Sequence, residues 1–284
     1  MPNWSYNTVC IKGKKDDMQK LINIGLENSG LEVTNDIEKD FDNLLNNATV
    51  KCVDNIDGKL EIDYKKGLTA RTFMPMPDTF LLHDTTNYPN AYPTEVCQEQ
   101  IEKYGALGWY DYNCLTLGTK WDFDLQDAEL METPDGKWQI IFYCETAWST
   151  PDAWCINIKK LVPEINVGYK ADEESGAYYQ CCYVKDGAME EYGDLTGKYD
   201  AMCKDFNDSR EHCEKKIRDD KELMEKLEKE VRESNSEMTE DEVKEEIDRK
   251  VEWLVDEECG EWVETSELMD ELEDIFTEMI EKVL

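Results

Sequence analysis

The chain of 284 residues lacks several features that would define common classes of protein. It contains no run of 18 apolar residues, which excludes a transmembrane helix. The first residues lack the basic and apolar segments of a secretory signal, so we expect a cytoplasmic protein. Only two histidines are present and no Gly-x-Ser-x-Gly motif occurs, which leaves a catalytic triad without support.

The cysteines also lack the spacing of a metal site or a disulfide framework. Their number, 11, is odd, and no Cys-x-x-Cys pair occurs, which favours reduced and buried thiols. The nearest zinc candidates are Cys181-Cys182 and Cys203 with His212-Cys213. Adjacent residues of a strand point to opposite faces, so Cys181-Cys182 is a poor chelate. We therefore expect neither a structural metal nor a cofactor.

Acidic residues dominate the charge of the chain. Asp and Glu number 66 against 31 Lys and Arg, which gives a net charge of −35. This charge opposes direct binding to nucleic acid or to an anionic membrane and favours a basic partner. Hydrophobic residues make up 40% and aromatic residues 10%, which is enough to bury a core.

Composition divides the chain near residue 200. All 14 tyrosines precede that point, and residues 1–200 carry 35 acids and 18 bases. Residues 201–284 carry 31 acids and 13 bases in less than half that length, with helical periodicity throughout. We predict an α+β domain over residues 1–200, followed by an all-α acidic extension over 201–284.

The order of predicted elements indicates a fold for the first domain. Strand formers fill 4–11, a helix follows over about 16–30, and a later strand covers 138–143. A second helix ends near 161, and strands at 165–169 and 178–183 follow it. Strand–helix–strand followed by helix–strand–strand predicts a ferredoxin-like antiparallel sheet with helices and an insertion.

Five separated motifs occur in residues 1–190, namely Pro2-Asn3-Trp4-Ser5-Tyr6-Asn7, Phe73–Pro77, Tyr104–Tyr112, Gly118–Trp121 and Thr146–Pro151. Together and in this order they resemble the YubB-like proteins of bacteriophages and plasmids. The resemblance implies a ferredoxin-like domain, a mobile-element origin and the cytoplasm of a bacterial host cell. It implies no catalytic residue, because the family has no established activity. The acidic extension lies outside the family pattern.

The extension is predicted to form three helices. The first covers about 209–234, where acids and bases balance in five i,i+4 pairs: Glu211–Lys215, Glu214–Arg218, Glu222–Lys226, Glu225–Lys229 and Glu228–Arg232. The second begins at a capping box, Thr239 with Glu242, and ends at Gly260. The third begins near Thr265.

Acids and bases are not balanced in the last two predicted helices. Residues 251–284 carry 13 acids and one base, Lys282, over about 51 Å of helix. That is roughly one net charge per 4 Å, against about one per 1.7 Å for duplex DNA. We predict a non-enzymatic inhibitor whose carboxylates stand in for phosphates in a nucleic-acid-binding host defence protein. The predicted partner-binding residues are Glu257, Glu258, Glu261, Glu264, Glu267, Asp270, Glu271, Glu273 and Asp274.

Other interpretations remain open. The acidic helices are equally typical of a solubilising surface, and they could instead form a homo-oligomer or cap a host complex. A host-directed binder could also act through a neutral or apolar surface.

Two residue groups add alternatives in the first domain. A metal-dependent nucleic-acid enzyme would use Asp122, Asp124 and Asp127 with Glu129, although a solvated strand edge is the favoured interpretation. An aromatic group is predicted to be core rather than a base-stacking platform: Trp109, Tyr110, Tyr112, Trp121 and Trp148.

Overall fold

A computed structural model describes residues 3–56, 59–82, 94–234, 238–260 and 263–284. The chain divides into two compact units. Unit 1 comprises Met1–Asp194 together with Glu271–Leu284, and unit 2 comprises Leu195–Asp270. The last helix therefore begins in unit 2 and ends in unit 1.

Unit 1 combines strands and helices. Its strands are β1 Trp4–Gly13, β2 Thr49–Ile56, β3 Lys59–Lys66, β4 Gln126–Glu132, β5 Trp138–Ala147, β6 Asn166–Glu173, β7 Tyr179–Lys185 and β8 Ala188–Asp194. Its helices are α1 Lys15–Asn28, α2 Ile37–Asn47, α3 Ala70–Phe73, α4 Asp78–Leu82, α5 Thr94–Tyr104, α6 Trp109–Thr116 and α7 Asp152–Leu161. This composition confirms the mixed α and β content expected for the first domain.

Six strands form one antiparallel sheet in the order β4-β5-β1-β6-β7-β8. The central strand β1 pairs with β5 from Trp4↔Ala147 to Gly13↔Trp138, and its other edge pairs with β6. β2 and β3 form a separate two-stranded sheet. Because side chains alternate along each strand, the six-stranded sheet has two distinct faces.

The first face of the sheet carries the main core. Its strand residues meet apolar side chains of α1 and α7, and Trp154 of α7 is fully buried against Phe142. The helices bury these residues because their apolar positions recur at helical spacing. Core members are Val9, Ile11, Met18, Leu21, Ile22, Phe142, Trp154, Ile158 and Tyr169.

The C-terminal half of the last helix, α11 Ser266–Lys282, contacts the second face. Leu272, Phe276 and Met279 are buried there. Gly168 and Gly193 permit this approach, since a Cβ on Gly168 would lie 2.9 Å from Met279 Cε and one on Gly193 2.7 Å from Ile275 Cγ2. Burial of each large apolar side chain stabilises the fold by about 2 kcal/mol. Like-charge pairs on the exposed side of α11 cost only about 0.3 kcal/mol each.

The predicted boundary of the acidic extension therefore differs from the observed one. Residues 271–284 belong to unit 1, whereas we predicted a helical extension over the whole of 201–284. Asn166 Nδ2 donates a hydrogen bond of 2.9 Å to the backbone oxygen of Leu284, which fastens the end of this segment to β6. The apolar stripe of α11 was visible in the sequence, but the surface that it covers was not.

Unit 2 consists of α8 Thr196–Asp219, α9 Lys221–Ser234, α10 Glu240–Cys259 and the first turn of α11. Leu227, Val251 and Val255 form its core. The prediction of a single helix over 209–234 is wrong, because the backbone is extended at Asp220 and divides this segment between α8 and α9. The Asp220 carboxylate accepts a hydrogen bond of 3.1 Å from the backbone N–H of Leu223, as at a helix N-cap.

The predicted ends of α10 are confirmed. Thr239 is the N-cap, and Glu242 Oε2 accepts a hydrogen bond of 2.7 Å from its backbone N–H, which completes the capping box. Gly260 follows the helix with a φ of 84°, in the region that favours glycine.

Among the helices of the described residues, none is both long and apolar enough to cross a bilayer.

We expect unit 1 to fold without unit 2. Gly193 already lies against Ile275, so a flexible Gly–Ser linker of about ten residues, reaching roughly 17 Å, is long enough to replace residues 195–270. Circular dichroism and urea denaturation of this variant should show one cooperative transition with native-like near-ultraviolet signals.

A chain truncated after Asp194 is the control for the same prediction. It loses the α11 residues that cover the second face, so its free energy of unfolding should fall by more than about 5 kcal/mol relative to the linker variant. Equal stability of the two variants would contradict the proposed role of residues 271–284.

Candidate partner-binding surfaces

Eight of the nine acidic residues predicted to bind a partner are described, and they lie at the end of α10, just before α11 and along α11. Glu261 lies outside the described residues. Among the other eight, Glu271 is half-buried and seven are exposed: Glu257, Glu258, Glu264, Glu267, Asp270, Glu273 and Asp274. The unit boundary falls after Asp270, so the set divides between unit 2 and unit 1.

The start of α11 is built around one of these acids. The Glu264 carboxylate accepts a hydrogen bond of 3.0 Å from the backbone N–H of Ser266. This bond holds the pKa of Glu264 below its usual value. A negative group at a helix N-terminus also meets the positive end of the helix dipole. Glu264 therefore has a structural role in addition to any role in binding.

The arginines of unit 2 are engaged inside the unit. Arg210 pairs with Asp256, and Arg218 pairs with Glu214 and Asp248. Arg232 pairs with Glu228 and Glu240, and both contacts raise its pKa. These pairs join α8 to α10 and α9 to α10. Arg249 pairs with Glu246 inside α10, so each arginine of the unit contacts an acid outside the predicted partner-binding set.

The predicted i,i+4 pairs are partly confirmed. Glu214–Arg218 and Glu228–Arg232 form as expected. Lys226 and Lys229 instead contact acids one turn towards the C-terminus, Glu230 and Glu233. All of these side chains are largely exposed, so each pair contributes only a few tenths of a kcal/mol.

The acids of unit 1 and unit 2 differ in their partners. Glu273 forms an ion pair with Lys170 of β6. Within the residues that the structure describes, Glu257, Glu258, Glu267 and Asp270 form no ion pair with Lys or Arg. The chain contains no Lys or Arg from 251 to 281, so neighbouring positions of the same helices offer these acids no cation. We refer to these four exposed carboxylates of unit 2 as the acidic surface.

A second candidate surface centres on Trp148, which follows β5. Its backbone φ is +72°, a value that a bulky side chain rarely adopts. The side chain is nevertheless 58% exposed. Strain of this kind persists only where the surroundings impose it, and it concentrates at binding and catalytic sites.

Hydrogen bonds impose this conformation from both sides of Trp148. Its backbone N–H donates 2.9 Å to the oxygen of Asn3. Thr146 Oγ1 donates 2.6 Å to the oxygen of Ser149, and Ser149 Oγ donates to the oxygen of Gly118. The turn is thereby fixed to the start of β1 and to the segment after α6.

Beneath the turn lies a buried amide. The Asn7 Nδ2 group donates to the oxygens of Ser5 and Cys144 at 2.9 and 3.2 Å and to Thr146 Oγ1 at 3.0 Å. Ser5, Asn7 and Thr146 are almost fully buried, and these bonds satisfy their polar groups. The motifs around residues 3–7, 118–121 and 146–150 therefore meet in one polar network that supports the Trp148 turn.

Further aromatic side chains lie in the same motifs. Trp121 is 39% exposed, its ring lies 6.1 Å from that of Trp4, and Lys120 Nζ lies 4.7 Å from its centre. The prediction that Trp121 and Trp148 are core is wrong, and Tyr110 is also exposed. Trp109 and Tyr112 do join an apolar cluster around Phe80.

The carboxylates considered for a metal-dependent enzyme do not converge on one site. Asp122 is turned inward, where it accepts hydrogen bonds from Thr69 Oγ1 at 2.7 Å and from the backbone N–H of Arg71 at 3.2 Å. Burial raises its pKa despite the nearby Arg71. Asp124 and Asp127 are exposed. The described residues contain no group of three potential ligands placed to hold a metal ion.

The cysteines are all free thiols. Cys181 and Cys182 point to opposite faces of β7, as their adjacency predicted. Cys181 Sγ lies 3.7 Å from the backbone oxygen of Leu272 on the second face, whereas Cys182 belongs to the main core. Burial raises the pKa of Cys181 to about 12 and that of Cys182 to about 11, which disfavours the reactive thiolate.

Comparison with known proteins gives little further information. No family model and no curated protein matches the chain. Among solved structures, it is similar to protein api92 from Yersinia pseudotuberculosis, which is described as a DUF1281 protein. The identity is 10%, the match covers 68% of this chain and 99% of that one, and the TM-score is 0.28. A likeness of this size carries no conclusion about function.

Substitution of Trp148 by alanine and by glycine should reveal the strain at this turn. Both changes remove the indole, but only glycine is free of strain at a positive φ. We expect Trp148→Gly to be more stable than Trp148→Ala by about 1 kcal/mol in urea denaturation. At the exposed helical position Asp208 the order should reverse, with alanine more stable than glycine. The same order at both positions would argue against strain at Trp148.

Proposed function

We propose that this chain is a non-enzymatic binding protein of phage or plasmid origin. Its partner is a basic, nucleic-acid-binding defence protein in the cytoplasm of a bacterial host, and binding inhibits that protein. The acidic surface of unit 2, formed by Glu257, Glu258, Glu267 and Asp270, occupies the partner's nucleic-acid site.

The observation that carries this proposal is that the four carboxylates form no ion pair within the described residues. The four carboxylates are exposed, and the arginines of unit 2 pair with other acids. Unpaired carboxylates on folded helices are already in position, so binding a cationic groove does not require them to leave an internal partner. Such a surface also steers a basic protein towards it at low salt.

The origin that we propose rests on the resemblance to YubB-like proteins. The order β4-β5-β1-β6, with α1 after β1 and α7 after β5, supports a ferredoxin-like arrangement at the centre of the sheet. In this proposal β7, β8 and residues 271–282 of α11 add to that arrangement, and unit 2 is an insertion that ends within the first part of α11. The central sheet then provides a stable body, and the insertion provides the binding surface.

Neutralising the acidic surface should abolish partner binding. The variant carries Glu257→Gln, Glu258→Gln, Glu267→Gln and Asp270→Asn, and it keeps Glu264 because that residue caps α11. From a bacterial lysate, the wild-type chain should capture a basic nucleic-acid-binding protein that added duplex DNA displaces. Its retention should fall steeply between about 50 and 200 mM salt.

A matched variant controls for total charge. Asp208→Asn, Asp219→Asn, Glu222→Gln and Glu225→Gln also remove four exposed acids, but from α8 and α9, where bases are interspersed. It should bind like the wild type. Capture of the same partner by both variants, or retention that is insensitive to salt and DNA, would contradict nucleic-acid mimicry.

A second candidate function is supported by the Trp148 turn. A rigid, exposed tryptophan is a frequent anchor of protein interfaces because it brings a large apolar area at low entropic cost. In this alternative the chain still binds a host protein, but through an apolar contact near Trp148 and Trp121 rather than through charge.

The Trp148 variants distinguish the two functions. If Trp148 is the anchor, Trp148→Gly and Trp148→Ala should both weaken partner binding by about tenfold or more, whatever their stabilities. Surface plasmon resonance at two salt concentrations measures this effect. Binding that survives both substitutions and disappears in the four-acid variant assigns the interface to unit 2.

A further inference from the structure

The helices α8 and α10 of unit 2 pack side by side in antiparallel directions. Arg210, in the second half of α8, pairs with Asp256 near the end of α10. Arg218, about two turns further along α8, pairs with Asp248, about two turns earlier in α10. The segment of α8 between these two arginines therefore lies beside the last turns of α10.

Two thiols meet at this contact between the helices. Cys213 lies on α8 between the two arginines, and Cys259 is the last residue of α10. Both side chains pack against the apolar core of unit 2. Cys259 Sγ lies 4.0 Å from the backbone oxygen of Ser209, one turn before Cys213. Because helical side chains lean back over the preceding turn, the Cys213 thiol is directed to the same place, and the two thiols are in hydrogen-bond contact.

Exposure also distinguishes these two thiols from most of the other cysteines. Cys213 and Cys259 are only half-buried, so a small reagent in solution can reach them. Cys203 is half-buried on the same helix but lies almost three turns before Cys213, which makes it an internal control. The fully buried cysteines all belong to unit 1: Cys10, Cys144, Cys155, Cys181 and Cys182.

The end of α10 allows the two sulfur atoms to approach bonding distance. A disulfide requires the sulfurs to lie about 2.05 Å apart, which is closer than two thiols in contact. Cys259 ends its helix, and Gly260 follows with a φ of 84°. The last turn of a helix has carbonyl groups without helical partners, so its backbone can shift more easily than the helix interior.

We propose that Cys213 and Cys259 form a reversible disulfide when the chain meets a small-molecule disulfide such as oxidised glutathione. The thiolate of one cysteine attacks a sulfur of the oxidant, which forms a mixed disulfide and releases one thiolate of the oxidant. The thiolate of the second cysteine then attacks the protein sulfur of the mixed disulfide and releases the other. The two cysteines are thereby oxidised, their protons pass to the released thiolates, and the oxidant is reduced to two thiols.

This bond would crosslink α8 to the end of α10. It closes a loop that contains all of α9, and such a crosslink stabilises a fold by restricting its unfolded chain. It also fixes the helical turn that carries Glu257 and Glu258 of the acidic surface, because Cys259 follows them directly. Burial of the thiol, followed by its hydrogen bond to Cys259, raises the pKa of Cys213, so exchange should be slow without excess oxidant.

Oxidation of the full chain tests the crosslink directly. Oxidised glutathione at about pH 8 should join a proteolytic peptide that contains Cys213 to one that contains Cys259, as detected by mass spectrometry, and dithiothreitol should restore both thiols. The thermal midpoint of unit 2 should rise by about 10 °C on oxidation. Hydrogen exchange at the last turn of α10 should slow by about tenfold or more.

Matched cysteine variants provide the controls. Cys213→Ser and Cys259→Ser should each remove the crosslink and the rise in the thermal midpoint, whereas Cys203→Ser should keep both. The peptide analysis uses the wild-type chain, so it decides the question even if a variant fails to fold. The inference is overturned if the two thiols stay free, pair with other cysteines or carry only glutathione, or if the crosslinked chain has an unchanged thermal midpoint. None of these measurements involves the partner, so the proposed function is tested separately.

Discussion

Close contact between the C-terminal half of α11 and the second face of the sheet determines much of the rest of the structure. It depends on two positions without side chains, Gly168 and Gly193, where any Cβ would overlap Met279 or Ile275. This contact places the last residues of the chain in unit 1 and makes unit 2 an insertion between β8 and Glu271 of α11.

The acidic excess has different consequences in the two units. In unit 1, Lys170 meets Glu273 and buried apolar side chains hold α11 in place, so charge repulsion on the helix has little effect on folding. In unit 2, the arginines are used to join helices, and the end of α10 and the start of α11 keep unbalanced carboxylates. The proposed binding surface therefore consists of carboxylates that form no ion pair within the described residues.

The sequence predicted those elements whose local pattern agrees with their environment. β1, β5, α7 and the capping box of Thr239 have a clear periodicity or cap. β4 was anticipated only as a solvated strand edge around residues 122–129. β8 was missed because its sequence, Ala-Met-Glu-Glu-Tyr-Gly-Asp, contains few strand formers and lies at a sheet edge. The site was predictable only as a charge pattern. Which carboxylates stay unpaired depends on the ion pairs that the arginines form in the folded unit. The exposure of Trp148 depends on hydrogen bonds between distant segments, which involve the backbone oxygens of Asn3 and Gly118.

An insertion whose two ends leave a sheet at neighbouring points has an evolutionary consequence. Unit 1 keeps its core as long as the glycines of β6 and β8 and the apolar stripe of residues 271–284 are retained. Under the proposed function, substitutions in residues 195–270 are selected mainly through their effect on partner binding, and those in the sheet through their effect on folding. The two units then diverge at different rates, because an adapting partner selects change in one part of the gene while the other stays nearly constant.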